Sequence, residues 1–245
     1  MLQRLDKLIA SQGTQSRSEV TRLIRRGQVT VDGVICRDPS AKVDDADSTI
    51  TVCGKVLVYQ SFVYIMLNKP AGILCVSRDP RVQTVVDLLP QEQRRKGLFP
   101  AGRLDKDTVG LVILTDDGDF AHRMLSPKKA VEKCYHVRLD GPITQEHIQA
   151  FAAGITLADG TPCCPAKLRV LEDGNEPLAA ITITEGRYHQ VKRMFGTIDR
   201  GVNWLKRVSI GGLVLDPTLS EGESRFMTEE ECRKPFFKEV FVQNK

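Results

Sequence analysis

Short apolar runs of strand length, separated by turn residues, occupy most of the chain after residue 62. Six such runs lie at 63–67, 111–114, 135–139, 167–171, 178–184 and 208–215, with Gly, Pro and Asp residues between them. Helical patterns are fewer and predict helices near 83–89, 120–125, 145–153 and 188–198. Because helices and strands do not alternate one for one, the pattern excludes a regular βαβ array and predicts an α+β fold dominated by sheet.

The first 59 residues have a different pattern, which predicts a separate small module. An apolar stripe at Leu5, Leu8 and Ile9 indicates a first short helix. Ser16 and Glu19 have the spacing of a capping box, which predicts the start of a second helix. A strand at 28–33 ends in an Asp-Gly turn, and two more strands are predicted near 49–52 and 55–58.

The formal net charge of +4 is concentrated at the start of the chain. Residues 1–37 contain seven basic and three acidic residues, so the rest of the chain is balanced. A localised basic excess favours a polyanionic partner, with nucleic acid as the leading candidate, and the alternative is a solvated helix face. The predicted RNA contacts in this segment are Arg4, Lys7, Arg17, Arg22, Arg25 and Arg26.

The remaining composition excludes several classes of protein. No apolar run approaches the roughly 18 residues of a membrane span, and no signal peptide is recognisable at the start. The seven cysteines include no C-x-x-C pair, which argues against a disulfide scaffold or a cysteine-based zinc module. The histidines also lack metal-ligand spacing. We therefore expect a cytoplasmic protein that uses neither a metal nor a membrane.

A turn at residues 102–105 offers the first candidate for chemistry. It places Asp105 two residues after Arg103, and either Arg103 or Lys192 is able to keep such a carboxylate ionised. An ionised aspartate can act as a nucleophile towards an electrophilic carbon. From these residues alone, a plain surface turn remains the alternative.

Four segments together resemble a known family. They read M-L-N-K-P-A-G at 66–72, A-G-R-L-D-K-D-T-V-G-L at 101–111, E-K-C-Y-H-V at 132–137 and E-G-R-Y-H-Q-V-K-R-M at 185–194. In this order they resemble the signature of the RNA pseudouridine synthases, in particular the branch that modifies ribosomal RNA. The first fifty residues resemble the alpha-L RNA-binding module that this branch carries, and the likeness extends from about residue 2 to 228.

The resemblance implies an alpha-L module at 1–59, a catalytic domain with a central, mostly antiparallel sheet at 60–232, and a tail of unknown role at 233–245. It implies that Asp105 is the catalytic aspartate, Tyr135 the active-site aromatic and Lys192 the basic partner of the aspartate. Arg103 is assigned to the backbone of a flipped nucleotide or to Asp105 itself. His189 and Gln190 are expected to be structural hydrogen bonders. The further RNA contacts implied are Lys69, which otherwise shapes the site, Arg187 and Arg193.

The implied reaction isomerises a uridine of ribosomal RNA to pseudouridine after the base is flipped out of its stack. Asp105 attacks either the anomeric carbon of the sugar or the pyrimidine ring, and the sequence leaves both routes open. No cofactor is required, because no group is lost and no redox change occurs. We expect a monomer that acts on a pre-ribosomal particle. The segment Y-H-Q-V-K-R-M-F favours small-subunit RNA. A large-subunit target and a non-catalytic RNA-binding or ribosome-assembly protein on the same fold remain alternatives.

Overall fold

A computed structural model describes residues 2–44 and 47–237 of the 245-residue chain, and these divide into two compact units. The first unit comprises the chain up to Val63 together with Pro90–Leu98, and the second comprises Tyr64–Leu89 together with the chain from Phe99 on. The sequence-based boundary after residue 59 assigned the segment 90–98 to the catalytic region, whereas the structure groups this segment with the first unit. This segment contacts the first unit, since Arg95 Nη1 donates to the Gln60 carbonyl oxygen at 2.8 Å. Residues 238–245 of the predicted tail lie outside the described residues.

Among the described residues, the first unit contains two α-helices and six short strands. Antiparallel pairing joins β1 to β4 and orders the others β3-β2-β5-β6. The elements are β1 (Leu2–Arg4), α1 (Leu5–Ser11), α2 (Arg17–Arg25), β2 (Val29–Val31), β3 (Val34–Ile35), β4 (Lys42–Asp44), β5 (Ile50–Val52) and β6 (Lys55–Val56).

The predicted apolar stripe and capping box are both confirmed in this unit. Leu5, Leu8 and Ile9 pack into one core cluster with residues of α2 and the strands. The Ser16 hydroxyl accepts from the Glu19 amide at 3.2 Å, and the Glu19 carboxylate accepts from the Ser16 amide. These two bonds satisfy backbone donors that the first turn of a helix leaves without partners.

A buried carboxylate ties the start of the chain to α2. Asp6 has a side chain only 5% exposed, and it accepts ion pairs from Arg4 and Arg17, each at 3.0 Å. The hydrogen bond from Arg4, together with that from Arg17, lowers the pKa of Asp6 to about 2. Two of the predicted RNA contacts, Arg4 and Arg17, therefore direct their half-exposed guanidinium groups at an internal acid.

Asp6→Asn should lower the free energy of unfolding at neutral pH by about 1–2 kcal/mol, allowing for solvent screening of the half-exposed arginines. The pKa of Asp6 in the folded protein lies below the ordinary aspartate value of 3.8, so the stabilisation is present above that pH and is lost as the pH falls through about 2. Urea unfolding of wild type and variant at a series of pH values measures the difference in their free energies of unfolding, which should disappear in acid. Glu92→Gln, at an exposed carboxylate of the same unit, is the control. A difference in free energy of unfolding that persists at the lowest pH would show that the ion pairs of Asp6 are not its cause.

In the part of the chain that the structure describes, the second unit is built on one nine-stranded sheet. Its strands are β7 (Tyr64–Lys69), β8 (Phe99–Pro100), β9 (Val109–Thr115), β10 (Lys133–Leu139), β11 (Lys167–Glu172), β12 (Leu178–Ile183), β13 (Val202–Ile210), β14 (Leu213–Val214) and β15 (Ser224–Phe226). Its helices are α3 (Gly118–Leu125), α4 (Gln145–Ala153), α5 (Gln190–Gly196) and α6 (Glu229–Arg233), with short 3-10 turns at Gln91–Gln93 in the first unit and at Pro127–Lys129 and Lys234–Phe236 here.

The sheet confirms the predicted α+β class and mostly antiparallel pairing. The strand order is β11-β12-β10-β13-β9-β7-β15. In addition, β8 pairs with β9 and β14 pairs with β13. The β13–β9 pair is parallel. The parallel pair brings backbones close together at Gly110, which has a φ of +100°. A Cβ atom there would lie 2.3 Å from the carbonyl oxygen of Arg207, so only glycine fits.

Two of the predicted helices differ from the structure. Residues 83–89 form turns, because Thr84 bridges to Leu74 and bonds the Asp87 carboxylate through both its amide and its hydroxyl. Such local side-chain bonds compete with a helix, and Pro90 follows directly. The helix predicted at 188–198 begins at Gln190, since His189 adopts a left-handed conformation with φ 48°.

Candidate active site

The turn that carries Asp105 lies between β8 and β9. The Thr108 amide donates to the Asp105 carbonyl oxygen at 3.1 Å, and the Gly72 amide donates to the Lys106 carbonyl oxygen at 2.8 Å. The Asp105 side chain is 27% exposed, so its carboxylate is open to solvent on one side. The loop therefore has fixed backbone bonds while its acid stays accessible.

Lys69, at the end of β7, holds this turn from inside the protein. Its side chain is fully buried, and its ammonium donates to the carbonyl oxygens of Pro70 at 3.0 Å, Lys106 at 3.1 Å and Thr108 at 2.8 Å. Burial lowers the pKa of Lys69. The sequence-based assignment of Lys69 as an RNA contact is therefore wrong, because its three donors are used by carbonyl groups and none of its surface is open to a phosphate.

The loop 184–189, which precedes α5, brings an imidazole to Asp105. His189 Nε2 lies 3.6 Å from Asp105 Oδ1. Sequence reasoning placed His189 among structural residues and did not place it at the acid. Its position depends on the left-handed backbone at His189, which motif spacing does not reveal.

Lys192 pairs with Asp107 rather than with Asp105. The Lys192 ammonium donates to Asp107 Oδ2, and this hydrogen bond lowers the pKa of Asp107. The predicted direct pair between Lys192 and Asp105 is therefore absent from this arrangement. Lys192 Nζ instead meets a carboxylate two residues farther along the same loop, where the Asp107 side chain is 69% exposed and pairing costs little desolvation.

Glu185 fixes the loop before α5. Its carboxylate accepts from the Cys164 amide at 2.8 Å, from Gln190 Nε2 at 2.7 Å and from Arg187 Nε at 3.1 Å. Gln190 is buried, and its Oε1 also accepts from the Arg187 amide, which confirms its predicted structural role. Arg187 and Arg193, both predicted RNA contacts, remain partly exposed, and the second pairs with Asp159.

Tyr135 lies on β10 with only 7% of its surface exposed. It faces Arg207 on β13, and Arg207 in turn faces Gly110 on β9, so the register aligns these three residues across adjacent strands. Arg207 Nε also donates to the Leu111 carbonyl oxygen at 2.8 Å. These contacts hold β9, the strand that follows the Asp105 turn, in register with Tyr135 on β10. Among the described residues, no hydrogen bond joins Tyr135 to Asp105.

The other predicted residues are exposed at the surfaces of their own units. Lys7, Arg22, Arg25 and Arg26 have exposed side chains on and just after the two helices of the first unit. Arg103 is exposed in the Asp105 turn, and within residues 2–44 and 47–237 it makes no ion pair with Asp105. No helix in those ranges is long and apolar enough to cross a membrane.

Comparison with known families identifies both units. The profile described as RNA pseudouridylate synthase matches residues 63–197, and the profile described as S4 domain matches residues 3–48. The second match falls on the segment that was assigned to the alpha-L module.

Similar proteins match nearly the whole chain. An uncharacterized RNA pseudouridine synthase, YtzG, of Bacillus subtilis is 46% identical over 93% of this chain and 96% of its own length. The ribosomal small subunit pseudouridine synthase A of Haemophilus influenzae is 42% identical over 94% of this chain and 98% of its own. The protein of the same name from Escherichia coli is 43% identical over 93% and 97%.

Among solved structures, a crystal structure of a pseudouridylate synthase matches with a TM-score of 0.66 and 40% identity, covering 95% of this chain and 99% of that one. The turn of Asp105 lies within the residues matched by the synthase profile, and the two N-terminal helices lie within those matched by the S4 profile. The chain therefore belongs to the RNA pseudouridylate synthase family, as an RNA-modifying isomerase with an N-terminal S4 domain.

Proposed function

We propose that this protein converts a uridine of small-subunit ribosomal RNA to pseudouridine. The observation that carries the proposal is the likeness to small subunit pseudouridine synthases at 42–43% identity along both units, including the S4 domain that would engage the RNA. We also propose that the substrate is a pre-ribosomal particle and that the protein acts as a monomer in the cytoplasm.

Asp105 is the proposed nucleophile. Its carboxylate is partly exposed, while the backbone around it is held by Lys69 and by the Gly72 amide. A fixed loop orients the attacking oxygen before RNA binds, which removes part of the entropic barrier to attack. Attack on the anomeric carbon would release the uracil as a leaving group, whereas attack on the ring would form an ester at a pyrimidine carbon, and both routes stay open.

Two basic side chains support the acid in this proposal. The imidazole of His189, with Nε2 at 3.6 Å from Asp105 Oδ1, is proposed to orient the Asp105 carboxylate. Lys192 lies on α5 and brings a positive charge to the Asp105 turn through its hydrogen bond to Asp107. Arg103, which is exposed two residues before Asp105, is proposed to contact the backbone of the flipped nucleotide.

Tyr135 is proposed to contact the uracil after flipping. A base that leaves its stack loses a few kcal/mol, and an aromatic side chain restores about 1–3 kcal/mol by stacking. After the uracil rejoins the sugar through carbon, a proton must leave that carbon, and the Tyr135 hydroxyl or a water that it positions is the proposed acceptor.

The test is to map pseudouridine in ribosomal RNA after incubation with the purified protein. Small-subunit RNA from cells that lack the gene is the substrate, large-subunit RNA is the control, and carbodiimide-dependent stops of reverse transcription locate the product. One new site in small-subunit RNA is expected. A site only in large-subunit RNA would move the target, and tight binding with no product in either RNA would favour the non-catalytic alternative.

The exposed arginines at the end of α2 should supply salt-dependent RNA affinity. Replacing Arg22, Arg25 and Arg26 by alanine should flatten the slope of log affinity against log salt by about 0.7–0.9 for each lost phosphate contact. Filter binding between low and moderate salt measures the slope. The matched control replaces Lys42 and Lys55, exposed cations on strands of the same unit. Equal slopes for the triple variant and the control would contradict a specific role for α2.

A further inference from the structure

The ring of Tyr188 is an exposed aromatic group that the proposed mechanism does not use. The residue is 76% exposed, although it lies directly before His189. One face of its ring stacks on the His189 imidazole, with centroids 3.9 Å apart and planes 15° from parallel. The ring is therefore supported on one side and open to solvent on the other.

This stack begins at the candidate nucleophile. His189 Nε2 is 3.6 Å from Asp105 Oδ1, and Tyr188 is the next ring outward from that imidazole. A planar group on the open face of Tyr188 would extend the same stack by one layer. Such a group would lie beside the nucleotide that Asp105 attacks, and not at Asp105 itself.

The backbone that carries Tyr188 is held in place on both sides. The Arg187 amide donates to Gln190 Oε1 at 2.9 Å, and Arg193 Nη1 donates to the Tyr188 carbonyl oxygen at 3.5 Å. The two arginine side chains are 44% and 32% exposed. A fixed aromatic face bordered by partly exposed guanidinium groups matches the chemistry of single-stranded RNA, whose bases stack and whose phosphates pair with cations.

We propose that Tyr188 stacks an unpaired base next to the target uridine. The inference rests on the proposed function, because RNA bound at Asp105 supplies the strand. Tyr135 is 7% exposed and lies within the sheet, so it is suited to a base that has entered the site. Tyr188 holds the neighbouring base outside, which fixes the strand on which the uridine is flipped.

The test compares Tyr188→Ala, Tyr188→Phe and Tyr188→Leu with the wild-type protein. The RNA is a fragment in which the wild type forms pseudouridine, from whichever subunit it comes, so a wrong target for the enzyme leaves the comparison intact. Stacking of one base predicts a loss of affinity of about 5- to 150-fold for alanine. Phenylalanine should bind within about twofold of wild type because it keeps the ring, and leucine should resemble alanine because it lacks a flat π-face.

Two further measurements separate stacking from a structural role. With 2-aminopurine beside the target uridine, the wild type and Tyr188→Phe should quench the fluorescence and Tyr188→Ala should not. At saturating RNA the single-turnover rate of Tyr188→Ala should stay within about threefold of wild type, since the variant loses binding more than chemistry. Unchanged affinity for alanine, or equal losses for alanine and phenylalanine, would overturn the proposal.

Discussion

Asp105→Asn should abolish isomerisation while RNA affinity stays within a few-fold of wild type. Asparagine keeps the size of aspartate and one carbonyl oxygen but lacks the anionic oxygen that must attack. Binding depends on phosphates and stacked bases, so the loss should fall on the chemical step and reach at least about a thousandfold in single turnover. The measurement is the single-turnover rate of pseudouridine formation at saturating RNA, with a filter-binding titration of the same variant.

Asp107→Asn is the matched control for this experiment. It removes an equal charge from the same loop, at a carboxylate that pairs with Lys192 and is far more exposed than Asp105. We expect it to lose no more than about tenfold in rate, because it disturbs a partly solvated pair and not the attacking group. Turnover by Asp105→Asn close to that of Asp107→Asn would rule out Asp105 as the nucleophile.

The fold could be predicted to a large extent because local signals agree with the structure. The capping box at Ser16, the Asp-Gly turn after β2 and the apolar runs of the sheet each depend on neighbouring residues in the sequence. The helix predicted at 83–89 did not form, because Thr84 bridges to Leu74 outside the segment and its hydroxyl bonds the Asp87 carboxylate within it. The packing of 90–98 with the first unit also depends on contacts distant in sequence, such as that between Arg95 and Gln60.

For the candidate site, the sequence predicted which residues to consider better than it predicted the side-chain contacts that they make. The motif order predicts Asp105 as the catalytic acid, and Asp105 lies within the residues that the family profile matches. Sequence reasoning assigned Lys192 to Asp105, whereas the structure pairs it with Asp107, two residues farther along the same turn. It also missed His189, whose place at Asp105 requires a positive φ. Sequence reasoning assigned Lys69 as an RNA contact because its burial could not be read from neighbouring residues. That burial depends on the Asp105 turn, whose carbonyl groups bind the Lys69 ammonium.

Lys69→Met should lower both the stability of the protein and its rate. Lys69 offers three donors and meets three carbonyl oxygens, so it is bound as an ammonium with every donor used. Methionine keeps most of the volume but removes the bonds to all three carbonyl groups, although the Lys106 carbonyl keeps its bond from the Gly72 amide. Hydrogen bonds to a charged group contribute about 1.5–3 kcal/mol each, and their loss is offset in part because the buried charge is also removed. We therefore expect about 2–4 kcal/mol of destabilisation, measured by urea unfolding.

The rate should fall because two of the three bonds hold the turn around Asp105. Lys106 and Thr108 provide the carbonyl oxygens, and the Thr108 amide bonds the Asp105 carbonyl in return. A displacement of the acid by about 1 Å costs on the order of a hundredfold in rate, so a similar loss is expected at a temperature where the variant is folded. Lys106→Met is the control, because its exposed side chain adds the same charge without these bonds. A folded Lys69→Met protein with the rate of Lys106→Met would show that the carbonyl bonds do not position Asp105.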